Sequence, residues 1–160
     1  MTDKENNKVN ISFFLQPKCN VAYIYSSDTF RQGLEKMDHY GYTAIPVLDD
    51  KERYVGTITE GDFLWSICSL KHGDISSIPA RELEKYHVED INFRRNYPSV
   101  RIDADMEEMV DRVMNQNFVP VVDDRSVFIG IITRKDVIKY FAEKSARNFT
   151  NEKKESTLTE

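Results

Sequence analysis

Two short segments of the chain place a threonine and an aspartate three residues apart at the predicted start of a helix. They are residues 56–62 (Gly-Thr-Ile-Thr-Glu-Gly-Asp) and, 74 positions later, residues 130–136 (Gly-Ile-Ile-Thr-Arg-Lys-Asp). A hydroxyl and a carboxylate at this spacing can bond to the free backbone amides of a first helical turn, as in a capping box. The free amides of a helix start can also bind a phosphate group. The repeated motif therefore predicts a capped helix in each half of the chain and a function that occurs twice or lies between the halves.

The elements that position these motifs follow the same order in both halves. Short apolar runs predict strands at residues 21–25, 44–48, 54–59, 100–102, 118–122 and 128–133. Helix-starting residues followed by apolar side chains at helical spacing predict helices that begin near residues 29, 62, 105 and 136. Each half is too small to bury its own sheet face. We therefore predict an α+β fold in which two β-α-β-β-α repeats pack sheet to sheet around a pseudo-two-fold axis.

The apolar faces of these helices are expected to point into the core. The predicted core positions are Phe30, Leu34, Met37, Phe63, Leu64, Ile67, Met106, Met109, Val110, Val113, Met114, Val137, Ile138 and Phe141. The predicted divisions of the chain are an N-terminal extension (1–17), a first domain (18–68), a linker (69–97), a second domain (98–143) and a flexible tail (144–160).

Composition narrows the class of protein. The chain has 160 residues and a net charge of −5, which argues against a general electrostatic grip on nucleic acid or an anionic membrane. It has two cysteines and three scattered histidines, so we expect neither a disulfide framework nor a structural metal site. The N-terminus lacks the apolar core of a signal peptide, and no apolar run is long enough to span a bilayer. We expect a cytoplasmic location.

The repeated pattern resembles a known family. Each half combines an apolar-apolar-Pro strand, with Pro46 in the first copy and Pro120 in the second, with the Gly-x-x-Thr-x-x-Asp motif. Two such units in tandem resemble a pair of cystathionine-β-synthase (CBS) domains, over roughly residues 18–141. The resemblance implies a module that binds adenosine-containing ligands in clefts between its two domains, forms a homodimer and needs no cofactor.

The resemblance also implies which residues form the two clefts, since each cleft combines the adenine pocket of one repeat with the Thr-x-x-Asp of the other. The first cleft would consist of Ala22, Tyr42, Thr43, Ala44, Thr133, Arg134, Lys135 and Asp136. The second cleft would consist of Val100, Asn117, Phe118, Val119, Thr59, Glu60 and Asp62. In both, the threonine and the aspartate would hold the ribose.

The two clefts differ in charge. The first carries Arg134 and Lys135 within its motif, whereas the second has Glu60 and Gly61 at those positions. A carboxylate about 4 Å from a phosphate charge costs on the order of 4 kcal/mol at an effective dielectric near 20. We therefore expect the first cleft to bind the phosphorylated ligand and the second to bind weakly or not at all, unless the linker folds back and Arg94, Arg95 or Arg101 compensates for the charge of Glu60.

A narrower resemblance concerns the ligand. Residues 21–22, residues 41–49 and the Thr133-Arg134-Lys135 run look like the matching segments of small stand-alone CBS-pair proteins that bind cyclic di-AMP. Asn20 stands where a lysine would help to hold a phosphate, and Asp136 is kept where that group can lack it. Because Asp136 favours free ribose hydroxyls, AMP, ADP or ATP ranks ahead of cyclic di-AMP.

Three classes of function remain open at this point. The first is a regulatory module that senses an adenine nucleotide and acts on an unidentified partner protein. The second is a structural dimerisation module whose clefts are filled by rings such as Tyr23, Tyr42 and Phe118. The third is an enzyme, which we do not expect, because no nucleophile paired with a base, metal cluster or glycine-rich phosphate loop is visible. No catalytic and no metal-binding residue is predicted.

Overall fold

The computed structural model describes residues 9–70 and 78–157, with side chains described as far as residue 147. The strands are β1 (Gln16–Pro17), β2 (Ile24–Tyr25), β3 (Ala44–Leu48), β4 (Tyr54–Thr59), β5 (Val100–Arg101), β6 (Phe118–Val122) and β7 (Phe128–Thr133). The α-helices are α1 (Phe30–Tyr40), α2 (Glu60–Leu70), α3 (Ala80–Leu83), α4 (Met106–Asn115) and α5 (Arg134–Thr157). Short 3-10 helices cover Ile11–Phe14, Lys18–Asn20 and Val88–Asp90.

The strands form two sheets with the same core arrangement. One sheet has the order β2-β3-β4 and the other β1-β7-β6-β5. In each repeat the first strand pairs in parallel with the second, which pairs antiparallel with the third. The predicted α+β fold of two repeats is confirmed. The strand expected over residues 21–25 is shorter, because only its last two residues pair with β3.

The two repeats are related by a pseudo-two-fold axis that passes between their hairpin turns. Arg53 pairs with Val127, its own counterpart 74 positions later, and a residue meets its counterpart only on such an axis. The flanking hydrogen bonds obey the same symmetry. They join the amide of Tyr54 to the carbonyl of Ser126 (3.3 Å) and the amide of Phe128 to the carbonyl of Glu52 (2.9 Å).

Each repeat is crossed by the segment that precedes the other one. Strand β1 lies beside β7 of the second repeat, with Pro17 opposite Gly130. A Cβ atom on Gly130 would lie 2.1 Å from the carbonyl oxygen of Gln16, so only glycine allows this approach. In the first repeat the linker crosses at Gly56, where the nearest atoms belong to the ring of Phe93. The glycine of each motif therefore marks where the chain passes from one repeat to the other.

The core consists of one cluster in each repeat and a third cluster between the sheets. The third contains Val21, Leu48 and Phe128, with Tyr23 and Tyr54 packed against it. This cluster joins residues of both sheets, as expected for sheet-to-sheet packing.

Several helix residues predicted to be in the core are exposed. Met114 is 73% exposed and Ile138 58% exposed, and Leu64 and Phe141 are also on the surface. Each helix packs one face on its sheet, which buries Phe63, Met109 and Val137, and the wide apolar stripe leaves the remaining side chains outside. The prediction for these four residues was wrong.

Helix α5 continues to Thr157, beyond the predicted domain end at 143 and into the segment assigned to a flexible tail. Residues 134–157 contain neither glycine nor proline, and Lys139 and Glu143 form an i,i+4 ion pair, so nothing in the sequence ends the helix earlier. Part of the predicted N-terminal extension falls on residues 1–8, and part of the predicted linker falls on residues 71–77. Both segments lie outside the described residues.

Candidate functional site

The first copy of the motif forms a closed set of hydrogen bonds at the start of α2. The Asp62 Oδ2 atom accepts from the amide (2.8 Å) and the hydroxyl (2.7 Å) of Thr59. Its Oδ1 atom accepts from the amide of Arg94 in the linker (3.2 Å). Asp62 is only 4% exposed. Both oxygens of this buried carboxylate are therefore occupied by the protein itself.

The second copy is more open. The Asp136 Oδ2 atom accepts from the hydroxyl of Thr133 (2.6 Å) and from the side-chain amide of Gln16 (2.9 Å). Among the described residues the Oδ1 atom of Asp136 has no hydrogen-bond partner, and the residue is half-buried. Asp136 is contacted by the side chain of Gln16, which can rotate away. Asp62 is contacted by the backbone amide of Arg94, which cannot.

Both copies also cap their helices. The amide of Asp62 donates to the hydroxyl of Thr59, and the amide of Asp136 donates to the hydroxyl of Thr133, each at 3.2 Å. The predicted capping role is confirmed in both halves. Because the threonine hydroxyls already bond within the protein, the carboxylate oxygen left open on Asp136 is the acceptor that distinguishes the second copy.

Three other predicted residues of the first cleft, Tyr42, Thr43 and Ala44, lie between the C-terminal end of α1 and the start of β3, while Ala22 precedes β2. Gly41, with φ 65°, ends α1 and turns the chain into Tyr42. Ala22 is buried in the core cluster of the first repeat and Tyr42 packs against it. The carbonyl of Thr43 accepts from the amide of Glu60 (3.1 Å), and Ala44 pairs with Thr59.

The structure joins the second motif to the chain segment that leads to Ala22. Gln16 bonds to Asp136, and the 3-10 helix Lys18–Asn20 packs on β7 before the chain reaches Ala22. No hydrogen bond or ring contact among the described residues links Tyr42, Thr43 or Ala44 directly to the second motif. The space between these two groups is where the predicted ligand would have to lie.

Arg134 and Lys135 are placed differently from each other. The Nε atom of Arg134 donates to the carbonyls of Val113 (2.7 Å) and Gln116 (3.1 Å) at the C-terminal end of α4. Arg134 therefore satisfies carbonyls that the end of a helix leaves free. Lys135 is exposed and has no ion-pair partner among the described residues.

A cavity of about 500 Å³ lies beside the first motif, where the linker folds back onto α2. Its lining residues are Thr59, Gly61, Asp62, Trp65, Arg94, Arg95 and Tyr97. The guanidinium of Arg94 lies over the ring of Trp65, 5.1 Å from the ring centroid. Arg95 is exposed and has no ion-pair partner among the described residues. A second cavity of about 440 Å³ shares Asp62, Trp65 and Arg94 and continues along α2.

This cavity alters the expected charge of the second cleft. The sequence places Glu60 in the motif, but the structure adds Arg94 and Arg95 from the linker. Arg101, the third candidate for compensation, is paired with Asp103 (2.9 Å). The remaining predicted residues of this cleft do not line the cavity. Val100 and Val119 are fully buried in the second core cluster, while Asn117 and Phe118 lie at the start of β6.

The linker is held in this position by Tyr54. Its hydroxyl donates to the carbonyl of Tyr97 (2.6 Å) and shares a hydrogen bond with the hydroxyl of Thr57 (2.8 Å). Burial raises the pKa of Tyr54 far above its ordinary value, so the phenol stays protonated. The end of the linker is thereby fixed next to the second cleft.

Sequence reasoning missed Gln16, Trp65 and Tyr97 as cleft residues. Gln16 reaches Asp136 and Tyr97 reaches the cavity only through folding, so no local pattern identifies them. Trp65 could have been found once its burial was known. A tryptophan that is 54% exposed, on a helix whose other face packs on the core, is unusual and indicates a binding surface.

Two further observations concern metal binding and membrane crossing. Within residues 9–70 and 78–147, no group of three or more histidine, cysteine, aspartate or glutamate residues is placed to hold a metal ion. None of the helices that the structure describes has the length and apolar character needed to cross a membrane.

The chain is similar to several known proteins. Cyclic di-AMP receptor B of Bacillus subtilis (strain 168) is 29% identical over 132 residues, which span 82% of this chain and 86% of the relative. The crystal structure of the Listeria monocytogenes CbpB protein in complex with c-di-AMP is 26% identical, spans 86% of this chain and 98% of that chain, and has a TM-score of 0.68. The structure of CBSX2 in complex with AMP is 23% identical, with a TM-score of 0.63 and coverage of 85% and 98%, and shows likeness of fold alone.

The family assignment follows from both repeats together. The family model for the CBS domain matches residues 14–69 and again residues 88–143, which is most of the chain. Each match includes one copy of the capped motif and the segment that crosses to the other repeat. The chain belongs to the CBS domain family and consists of two CBS domains in tandem.

Proposed function

We propose that this protein is a regulatory module that senses an adenine nucleotide of the AMP, ADP or ATP type in its first cleft. The observation that carries the proposal is the open Oδ1 atom of the half-buried Asp136. A carboxylate can accept hydrogen bonds from ribose hydroxyls, and charge-assisted bonds of this kind are among the stronger ones. Ala22, Tyr42, Thr43 and Ala44 would contact the base.

The second cleft lacks the open carboxylate oxygen that favours nucleotide binding in the first cleft. Asp62 is buried, and both of its carboxylate oxygens already accept hydrogen bonds from the protein. A ribose bound there would have to displace a backbone amide. The second cleft, with Thr59, Asp62, Val100, Asn117, Phe118 and Val119, is therefore proposed as the weaker site, for a different reason from its motif charge.

Cyclic di-AMP is the alternative ligand. Two relatives more than 25% identical are described as a receptor for it or in complex with it. In cyclic di-AMP the 3′ hydroxyl is esterified, so Asp136 would have fewer hydroxyls to bind. Arg134 bonds to α4, so Lys135 is the cation of the pair that has no ion-pair partner within the part of the chain that the structure describes.

The decisive experiment is isothermal titration of the wild-type chain with AMP, ADP, ATP and cyclic di-AMP under one salt condition. Micromolar binding of a mononucleotide, tighter than that of cyclic di-AMP, supports the proposal. Tighter binding of cyclic di-AMP favours the alternative. Absence of heat with all four ligands would contradict both, and would favour a ligand-free structural module.

We also propose a homodimer that presents the ligand state to a partner protein. Exposed apolar side chains lie on α2, α4 and α5, including Leu64, Met114, Ile138 and Phe141. Large apolar patches on a soluble surface commonly mark interaction sites. Sedimentation of the wild type as a dimer, and of Ile138→Glu as a monomer, is the expected result. A monomeric wild type would contradict this part of the proposal.

No catalytic activity is proposed, because the two CBS domains account for most of the chain and the clefts contain no paired nucleophile and base among the described residues. Two of the three aromatic rings that could have filled the clefts pack against other parts of the protein. Tyr23 lies in the cluster between the sheets, and Tyr42 packs on Tyr40 with ring centroids 5.7 Å apart.

A further inference from the structure

We propose that Gln116 occupies the base position of the second cleft and so restricts adenine to the first cleft, an inference that rests on the proposed function. Gln116 is only 3% exposed. Its Nε2 atom donates to the carbonyl of Pro98 (3.2 Å), and its buried Oε1 atom has no hydrogen-bond partner within the described chain. A carboxamide carries a donor beside an acceptor, as the edge of adenine does. Gln116 therefore offers the same two groups as the base that it excludes.

The strand register shows which residues of the two clefts correspond. Ile24 of β2 and Val100 of β5 occupy the same place in the two sheets, because each pairs with the fourth residue of the neighbouring strand. Two residues before them lie Ala22 and Pro98. Pro98 is therefore the counterpart of Ala22, which is proposed to contact the base in the first cleft.

These two counterparts differ in what they can offer to a base. Among the described residues, no hydrogen bond engages the backbone amide or carbonyl of Ala22. Pro98 has no N–H, and its carbonyl already accepts from Gln116. Because Pro98 supplies no donor beside that carbonyl, the Oε1 atom of Gln116 is left without a partner. The backbone of Pro98 therefore has neither of the two groups that Ala22 keeps open.

Gln116 lies where the cavity of the second cleft ends. The cavity is lined by Tyr97, but neither Pro98 nor any residue of β6 lines it. Pro98 directly follows Tyr97, and it is the residue to which Gln116 bonds. The open space thus stops at this hydrogen bond, and protein fills the position where a base would lie.

The counterpart of Gln116 in the first repeat is Tyr42, 74 positions earlier. The ring of Tyr42 packs on Tyr40 and on the core cluster, and no hydrogen bond in the described part of the chain joins Tyr42 to Ala22. Gln116 is also held through its backbone, since its carbonyl accepts from the Nε atom of Arg134 (3.1 Å). The residue type at this one position therefore separates an open base pocket from a filled one.

The test uses the fluorescence of Trp65, which lines the cavity of the second cleft. AMP and ribose 5-phosphate, which has no base, are titrated into the wild type, Gln116→Ala and Gln116→Met. Alanine empties the pocket, whereas methionine fills a similar volume. A pocket that is open in about one molecule in ten binds its ligand about tenfold more weakly than an open one. We expect Gln116→Ala to raise the affinity for AMP at Trp65 about tenfold, with ribose 5-phosphate binding and Gln116→Met both unchanged.

The control is Asn115→Ala, which removes an exposed carboxamide one residue earlier and should behave as the wild type does. If Gln116→Ala does not unfold cooperatively in urea, Gln116→Asn takes its place, because a side chain one methylene shorter cannot reach Pro98 in the same way. Unchanged AMP affinity in the variant that folds overturns the inference. Equal gains for AMP and ribose 5-phosphate also overturn it, because they indicate a wider cavity and not a vacated base position.

Calorimetry of the wild type with AMP separates this inference from the proposed function. Heat in the wild type with an unchanged Trp65 response in Gln116→Ala overturns the role of Gln116 alone. Absence of heat in the wild type with a gain at Trp65 in Gln116→Ala contradicts the proposed first cleft and supports the filled pocket. Absence of both signals contradicts both proposals.

Discussion

The two copies of the Thr-x-x-Asp motif cap their helices in the same way. Their aspartates differ in whether a carboxylate oxygen is left to accept a hydrogen bond from a ligand. Asp62 is buried and bonded through both oxygens, the second of them to the backbone of the linker. Asp136 keeps one oxygen open and is contacted by the side chain of Gln16. One motif has become part of the fold, while the other retains a free acceptor. A shared Thr-x-x-Asp motif therefore does not make two sites equivalent, because the crossing segment decides which oxygens of the carboxylate are already bonded.

The two crossing segments also differ in how closely they approach the glycine of the motif. Strand β1 presses its backbone against Gly130, whereas the linker places only the ring of Phe93 near Gly56. A side chain can shift by a few tenths of an ångström, but a paired strand cannot. The second repeat is therefore the less tolerant of the two at the motif glycine.

The largest expected effect comes from a methyl group at that glycine. Gly130→Ala places a Cβ atom 2.1 Å from the carbonyl oxygen of Gln16 and should destabilise the fold by about 3 kcal/mol. Gly56→Ala is the matched change, with its nearest contact at 3.4 Å to Phe93, and should stay within about 1 kcal/mol of wild type. Urea denaturation measures both. Equal losses would show that β1 does not lie against β7 in solution.

The next prediction separates the two carboxylates. Asp136→Asn should weaken nucleotide binding about 100-fold, because ribose hydroxyls lose a charged acceptor, with little change in stability. Asp62→Asn should instead lower the free energy of unfolding by about 2 kcal/mol, since a buried hydrogen-bonded carboxylate is altered, and leave binding in the first cleft intact. Titration and urea denaturation on both variants test this. Loss of binding in Asp62→Asn alone would reverse the assignment.

Sequence reasoning succeeded where the determinants are local. Strands β3, β4, β6 and β7 have the predicted bounds, because each is a short apolar run next to a turn. It failed for Met114, since the spacing of apolar residues does not tell which part of a wide stripe meets the sheet. Arg94 could be proposed for the second cleft only conditionally, because its approach to Asp62 depends on how a linker folds. Nothing in the sequence indicates that Arg134 bonds to α4.

The smallest expected effect concerns the second cleft, where the linker arginines offset the charge of Glu60. Trp65 is the only tryptophan of the chain and lines this cavity, so its fluorescence reports on the second cleft and not on the first. In Asp136→Asn, millimolar AMP should quench Trp65 weakly, and adding Arg95→Met should reduce that affinity about threefold, as for an exposed charge screened by solvent. Lys85→Met in place of Arg95→Met serves as the control. Quenching at micromolar AMP would show that the arginines compensate fully, and that a sealed Asp62 does not prevent a second nucleotide from binding.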